Sequence, residues 1–204
     1  MIEITSEAME RAEILLEGIP KGAERAFSNA VNRGLSHART KAYQEVRKVY
    51  AVKQSDLNSV TATRVQKAST GNVAGYVSFS GVKLPLYKFN VSQKAPKKSK
   101  NIKAGLMKGS WTAFENAFIT QMNSGHIGIF ERTGEQGITS RLEELKEGKE
   151  GNKHTEKVQE IMGLSGAQMV QNEVVIDQLS EEAQEKVNER VMHEIDRILN
   201  GYGG

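Results

Sequence analysis

Residues 23–50 read AERAFSNAVNRGLSHARTKAYQEVRKVY, and this stretch decides the fold class. Apolar or small residues recur in it at intervals of three and four, as they do on one face of an α-helix. The spacing predicts one long N-terminal helix from about Ala23 to Tyr50. Its face packs on the protein's own sheet or, along one side, on another subunit. The residues of this face are Ala23, Phe27, Ala30, Val31, Leu35, Ala38, Ala42, Val46 and Val49.

A second helix is predicted near the C-terminus. Ser180 is its predicted N-cap, and the acidic pair that follows suits the positive end of the helix dipole. Asn200-Gly201 supplies a stop signal. The pattern therefore predicts an amphipathic helix from about 181 to 199. Its apolar residues are Val187, Val191, Ile195 and Ile198.

Between the two helices the period of the apolar pattern changes to two, which indicates β-strands. Alternation over 60–91 predicts an antiparallel meander with turns at Gly71-Asn72 and Ser80-Gly81. Pro85 has no N–H to donate, so its strand is predicted to be an edge strand or to contain a break. Residues 102–114 predict a strand, a Lys-Gly turn and a short second segment, and 125–132 predict another strand. The polar stretch 140–160 is expected to be a loop, and 162–170 a loop or short turn.

These patterns predict an α+β fold, in which an antiparallel β sheet or sandwich is flanked by the long N-terminal helix and the C-terminal amphipathic helix. We expect a single domain over residues 1–204. Its successive parts are a helical N-terminal part (1–57), a β core with a basic loop at 93–103 (58–134), a polar loop or arm (135–172) and a C-terminal helix (173–204).

Composition excludes several classes of protein. The 204 residues include no cysteine, which rules out disulfides and Cys-based metal sites. No apolar run approaches the roughly 20 residues that cross a bilayer, and the N-terminus resembles no signal peptide. We therefore expect a soluble, unexported chain that assembles in a reducing cytoplasm. The formal net charge of +3 is too balanced for the whole chain to be a nucleic-acid binder.

No catalytic motif is recognisable, since P-loop, GxSxG, GxGxxG and HExxH patterns are all missing. The four histidines are scattered along the chain. His126, with Arg132 nearby, is the best isolated catalytic candidate, but no nucleophile accompanies it and a structural role is the favoured interpretation. We expect no catalytic residue, no metal, no cofactor and no enzymatic activity.

A basic segment, KAPKKSKNIK at 94–103, contains five lysines and no acid. Lysine clusters bind phosphates by counterion release, but no aromatic residue accompanies these lysines for base stacking. Three interpretations stay open: the loop faces DNA, it docks on an acidic partner, or it is simply solvated. The candidate contact residues are Lys94, Lys97, Lys98, Lys100 and Lys103.

Three stretches in this order resemble the prophage minor tail protein Z family, which is related to phage tail-completion and tail-terminator proteins. They are residues 22–57, residues 81–91 with 117–134, and residues 163–201; the segment AFITQMNSGHIGIFERTG at 117–134 is the most specific. Leu164 departs from the family pattern, which usually has Pro there. The residues that match the family motifs are Pro85, Phe118, Met122, Gly125, His126, Gly128, Phe130, Arg132 and Met169.

The resemblance implies a structural protein of the virion, assembled in the bacterial cytoplasm, that ends the tail tube on its head-proximal side. Relatives form rings, commonly hexameric, around the DNA channel. The implied partners are further copies of the chain, the tail-tube protein, the head–tail connector or stopper, and DNA passing through the lumen, with no membrane. The alternatives are a neck adaptor or stopper, and a DNA-binding module that uses the lysine segment.

Overall fold

The computed structural model of the chain describes residues 6–95, 101–137 and 155–201. The chain folds as two compact units: the first comprises residues 1–49, 54–82 and 165–204, and the second comprises 50–53 and 83–164. Helices and antiparallel sheets are both present, and long helices lie towards either end of the chain. The predicted α+β class is confirmed.

Five helices occur in the described part of the first unit. They are α1 (Ser6–Leu15), α2 (Gly22–Val49), α3 (Gln54–Val60), α4 (Gly166–Val170) and α5 (Glu173–Leu199). Helix α2 agrees with the predicted long helix to within one residue at each end. It packs along α5, and α1 covers one end of the pair. The shared core contains Ala12, Leu16, Ala26, Phe27, Ala30, Val187, Val191, Ile195 and Ile198.

The C-terminal helix is longer than predicted. It begins at Glu173, and Asn172 is its N-cap, with the side-chain oxygen accepting a hydrogen bond from the N–H of Val174. Ser180, the predicted cap, lies inside the helix. The β-branched run 174–176 disguises this start, because such residues favour strands as readily as helices. Buried Val175 and Leu179 nonetheless continue the apolar face of the helix towards its N-terminus.

A two-stranded antiparallel sheet completes the first unit. Strands β1 (Thr61–Gln66) and β2 (Tyr76–Gly81) pair from Thr61 opposite Gly81 to Gln66 opposite Tyr76. The turn predicted at Gly71-Asn72 lies one residue earlier, since Ser69 and Asn72 bridge around Thr70 and Gly71. The turn predicted at Ser80-Gly81 is wrong, because both residues are paired within β2. Gly81 is required there, since a Cβ would overlap the carbonyl oxygen of Val60.

The second unit is built from strands of two to eleven residues in three small sheets. The strands are β3 (Lys83–Pro85), β4 (Asn90–Val91), β5 (Ile102–Gly105), β6 (Thr112–Phe114), β7 (Ala117–Gln121), β8 (Ile127–Gly137), β9 (Thr155–Glu160) and β10 (Met162–Ser165). Strand β3 pairs with β10, while β5 lies between β4 and β6, and β8 between β7 and β9, in antiparallel sheets. Strand β3 ends at Pro85, where a 3₁₀ turn over Leu86–Lys88 follows, as expected for a residue that donates no hydrogen bond.

Two predicted loops contain regular structure. Residues 155–160 of the predicted polar loop form β9, which pairs with β8, while 138–154 lie outside the described residues. The predicted loop at 162–170 consists of β10 and α4. A reciprocal capping box begins α4: the Ser165 hydroxyl accepts from the N–H of Gln168, whose side chain accepts from the N–H of Ser165.

Candidate functional site

The lysine segment is anchored at both of its described ends. Lys94 and Lys103 have exposed side chains, while the Lys94 carbonyl accepts a hydrogen bond of 2.7 Å from the Tyr87 hydroxyl. Lys103 lies on β5 and exchanges hydrogen bonds with Ser92, at 2.8 Å and 3.0 Å. Lys97, Lys98 and Lys100 lie outside the described residues. Hydrogen bonds therefore hold the backbone at both described ends, while the side chains of Lys94 and Lys103 extend into solvent.

Four of the family-motif residues meet on one face of the β7-β8-β9 sheet. Phe118 and Phe130 are directly opposite each other on β7 and β8, with ring centroids 6.3 Å apart. The guanidinium of Arg132 lies 5.6 Å from the Phe118 centroid, a cation–π distance. At the other end, the His126 ring meets Phe130 edge-on at 6.4 Å. We call this row of Arg132, Phe118, Phe130 and His126 the aromatic ladder.

Two glycines of the same motif shape the end of the aromatic ladder. Gly125 has φ of +84°, in the left-handed region, and closes a tight turn in which Met122 and His126 are hydrogen-bonded at 2.8 Å. Gly128 leaves room for its neighbours, because a Cβ there would overlap a carboxylate oxygen of Glu160 and approach the Phe130 ring to 2.9 Å. The left-handed backbone at Gly125 and the close contacts around Gly128 therefore explain why glycine occupies these two positions.

Sequence reasoning missed Glu160, the partner of His126. Its carboxylate oxygen lies 2.7 Å from Nε2 of His126, so the pair ties the beginning of β8 to the end of β9. Glu160 falls in a predicted loop, and it is 34 residues away in the chain. The pair has no third His, Asp or Glu beside it within the described residues that could complete a metal site. The hydrogen bond between His126 and Glu160 thus holds the beginning of β8 to the end of β9.

The remaining motif residues lie elsewhere. Pro85 is half-buried at the end of β3. Met169 is fully buried in α4 and belongs to the core of the first unit. Met122 lies in the turn that Gly125 closes. The aromatic ladder therefore contains only the motif residues of 117–134, and the others support separate parts of the fold.

A groove of about 550 Å³ in the first unit was not anticipated from the sequence. Helices α2, α4 and α5 form its walls, with Leu35, Val170 and Leu179 among the buried apolar residues that line it. The five consecutive residues 75–79 line the remaining side.

Charges are distributed unevenly around this unit. The first turns of α5, from Glu173 to Glu185, contain five acidic residues and no lysine or arginine. On α2, a 2.6 Å hydrogen bond from Lys48 to Glu45 raises the pKa of the lysine. Further along α5, a hydrogen bond from Lys186 lowers the pKa of Glu189. The residues that α5 contributes to the lining of the groove are uncharged: Ile176, Leu179, Ser180 and Val187.

Comparison with protein families gives one match that spans nearly the whole chain. The model of the family described as prophage minor tail protein Z matches residues 7–200 of the 204. Comparisons with curated proteins and with solved structures give no significant match. No helix among the described residues combines the length and the apolar character needed to span a membrane. The match covers helix α1 from its second residue, the other four helices, the aromatic ladder and both described ends of the lysine segment. It places the chain in the prophage minor tail protein Z family, whose role in the phage tail is structural.

Proposed function

We propose that this protein completes the head-proximal end of the tail tube, ends its elongation and joins it to the head connector as a homo-hexameric ring. The family match over residues 7–200 is the observation that carries this proposal. As a member of this family, the chain is a structural component of the virion and contacts other tail components. Because the family role is structural, we propose no enzymatic activity for it.

The second unit offers the kind of surface that ring assembly needs. Its sheets contain two or three short strands each, so outer strands such as β4, β6, β7 and β9 pair on one side only within the described residues. Unpaired strand edges bind further strands readily. Heterologous contacts between such edges and a different surface close into a ring when the rotation between subunits divides the circle.

Native mass measurement of the purified full chain over a concentration series tests the ring directly. We expect a single large species of defined stoichiometry, with six subunits as the proposed number. Gold-labelled protein should then bind one end of isolated tail tubes in electron micrographs. A chain that stays monomeric at every concentration and labels neither end would contradict the proposal. Label on isolated connectors and none on tubes would instead favour a neck adaptor or stopper.

Exposed Lys94 and Lys103 favour DNA contact as the second candidate function. If the lysine segment binds phosphates, log K for DNA falls with log salt by about 0.9 per contact. Substituting both lysines by Glu should lower that slope by about two. Lys53→Glu with Lys67→Glu, which removes the same charge from two exposed lysines of other segments, is the control. Equal slopes for the two double variants would remove the case for DNA binding.

A further inference from the structure

We propose that the outer face of helix α5 in one copy of the chain docks on the lysine segment of a second copy, so that acids of the helix pair with lysines of the segment. This inference rests on the proposed ring and names two surfaces that would form its subunit contact. One surface belongs to the first unit and the other to the second unit. The contact is therefore heterologous, which is the type that generates rings.

Four exposed acids form a ridge along the outer face of α5. They recur every four residues, so they lie on one side of the helix at intervals of about 6 Å along its axis. Buried Val175 and Leu179 have the same spacing two residues further along, which puts the core on the opposite side. None of the four carboxylates forms an ion pair within the described residues. The acids of this acidic ridge are Glu173, Asp177, Glu181 and Glu185.

The acidic ridge is unfavourable for an isolated chain. Like charges four residues apart on a helix repel each other and destabilise it. The helix dipole offsets this repulsion only near the N-terminus, and Glu173 alone lies in the first turn. Further along the same helix, Glu189 pairs with a lysine and Glu194 with two arginines. Cations of another chain would remove the repulsion on the ridge, because charges across protein interfaces are arranged to be complementary.

The lysine segment presents the complementary charge, since it contains five lysines and no acid. The side chains of Lys94 and Lys103 are exposed, and neither forms an ion pair within the described residues. Their backbones are held at neighbouring positions, because Ser92, two residues before Lys94, exchanges two hydrogen bonds with Lys103. Adjacent acids of the ridge are about 6 Å apart. Two lysines fixed at neighbouring positions can therefore each reach one of them.

The division of charge between the two units favours a second copy as the partner. The sequence of the first unit has 16 acidic and 13 basic residues, whereas that of the second has 9 acidic and 15 basic residues. Every copy therefore carries a surface of each sign. Contact between unlike surfaces can repeat from one copy to the next, while two identical surfaces of like charge would repel each other.

Charge reversal in the full chain tests the contact. Asp177→Lys with Glu181→Lys makes the ridge basic, and this ridge variant should stay folded because each new lysine lies four residues from a remaining acid. Lys94→Glu with Lys103→Glu makes the segment acidic and is the segment variant. Each variant alone brings like charges together at the contact. Native mass measurements should show that each requires a concentration about tenfold or more above that of the wild type for half-assembly.

Matched controls reverse the same amount of charge elsewhere. Glu13→Lys with Glu24→Lys changes two exposed acids of the first unit outside α5. Lys53→Glu with Lys67→Glu changes two exposed lysines outside the segment. Their half-assembly concentrations should change less than about twofold. Equal effects of a variant and its control would overturn the inference and leave the ring standing. A segment variant that assembles like the wild type but has a lower salt slope for DNA would assign the lysines to DNA instead.

Mixing the two variants distinguishes a contact between copies from one within a single chain. In an equimolar mixture, the basic ridge of one variant meets the acidic segment of the other, and the unaltered ridge meets the unaltered segment. Assembly should therefore return, with alternating subunits in even numbers. A chain that combines all four substitutions should also assemble alone. Recovery in the combined chain without recovery in the mixture would place the contact within one chain and overturn the inference.

The form of the assembly separates this contact from the proposed ring. Oligomers of no fixed mass that each variant abolishes and the mixture restores would support the contact and contradict the ring. A ring of defined mass that both variants still form as readily as the wild type would count against this contact alone. A wild-type chain that stays monomeric at every concentration would overturn both.

Discussion

Glu194 is only 2% exposed although it is charged, and three side chains surround its carboxylate. Arg190 donates to one oxygen at 2.8 Å, while Arg197, at 3.2 Å, and Asn29, at 3.2 Å, approach the other. The two arginines are on α5 itself, four residues before and three residues after the glutamate. Asn29 is on α2. A buried carboxylate is tolerated when it is paired in this way, and this one also links the two long helices.

Replacing Glu194 by Ala should lower the free energy of unfolding by about 2 kcal/mol, the typical effect of losing hydrogen bonds to a charged group. Breaking a buried pair costs more when both partners are enclosed, but Arg197 is 43% exposed and water can solvate it again. Glu189→Gln breaks a pair of similar length, Glu189 with Lys186 at 2.6 Å, at a solvated position and should change stability little. Denaturant unfolding of both variants measures the difference. Equal losses would show that burial of Glu194 has no special effect.

The Glu189 carboxylate should titrate below its ordinary pKa of 4.5, because the Lys186 ammonium donates a hydrogen bond to it. A depressed folded-state pKa stabilises the protein above the unfolded-state pKa, and this stabilisation is lost as pH falls through the folded-state value. Lys186→Gln should move the Glu189 pKa back towards 4.5. Carboxyl-carbon NMR titration follows this directly. An unchanged pKa in the variant would contradict the assigned cause, and added salt should act in the same direction as the substitution.

At the scale of elements, helices with one regular apolar face could be predicted, and strands with distant partners could not. The three-and-four spacing of α2 fixed both of its ends to within one residue. The start of α5 was missed, because Val174 and Ile176 are exposed and β-branched and conceal the periodicity around Val175 and Leu179. Strand β9 is short and polar, and only its pairing with β8 distinguishes it from a loop.

Dependence on partners that are distant in the chain also explains which features of the site could not be predicted from the sequence. The residues of 117–134 could be identified from their local order, including the two glycines with special geometry. Glu160 could not be linked to His126, since its position depends on a strand pairing across 34 residues. The groove depends on four elements from distant parts of the chain. No local pattern in any of them indicates a cavity.

Close approach of α2 and α5 should make Gly34 intolerant of a large side chain. A Cβ at Gly34 would overlap the Val187 side chain and lie 3.4 Å from the Ala183 carbonyl oxygen. Gly34→Leu should therefore lower the free energy of unfolding by about 1–3 kcal/mol through overpacking, despite the better helix propensity of leucine. Thr40→Leu, at an exposed position of the same helix, is the control. Circular dichroism melts at low concentration measure both, and a Gly34→Leu variant as stable as the wild type would contradict the packing described here.

At the scale of the whole molecule, the two units differ in how they are held together. The first has a continuous core between two helices of 28 and 27 residues. The second has strands of two to eleven residues in small sheets, and within the described residues their outer strands pair on one side only. This division suits a protein that must keep its own fold while it contacts several neighbours in a tail.

Hydrogen exchange should distinguish the helical core of the first unit from the outer strands of the second. It should also show which amides become protected on assembly. In dilute protein, amides of the α2 and α5 core should exchange slowest, because their opening requires loss of the shared core. Those of the outer strands β4, β6, β7 and β9 should exchange fast where they face no partner strand. In the assembled state, the outer strands that take part in the subunit contact should gain protection. Exchange in all four strands that is unchanged as the mass rises would contradict assembly through these edges.

The division of the chain also has a consequence for its synthesis on the ribosome. The core of the first unit joins α2 to α5, yet the whole of residues 83–164 must be translated before α5 begins to emerge. At the usual rate of translation, the apolar face of α2 waits several seconds for its partner. The second unit is complete within that interval and can fold first. We therefore expect a nascent chain of this protein to expose Phe27, Ala30 and Leu35 until α5 has emerged, an interval in which this apolar face is open to aggregation.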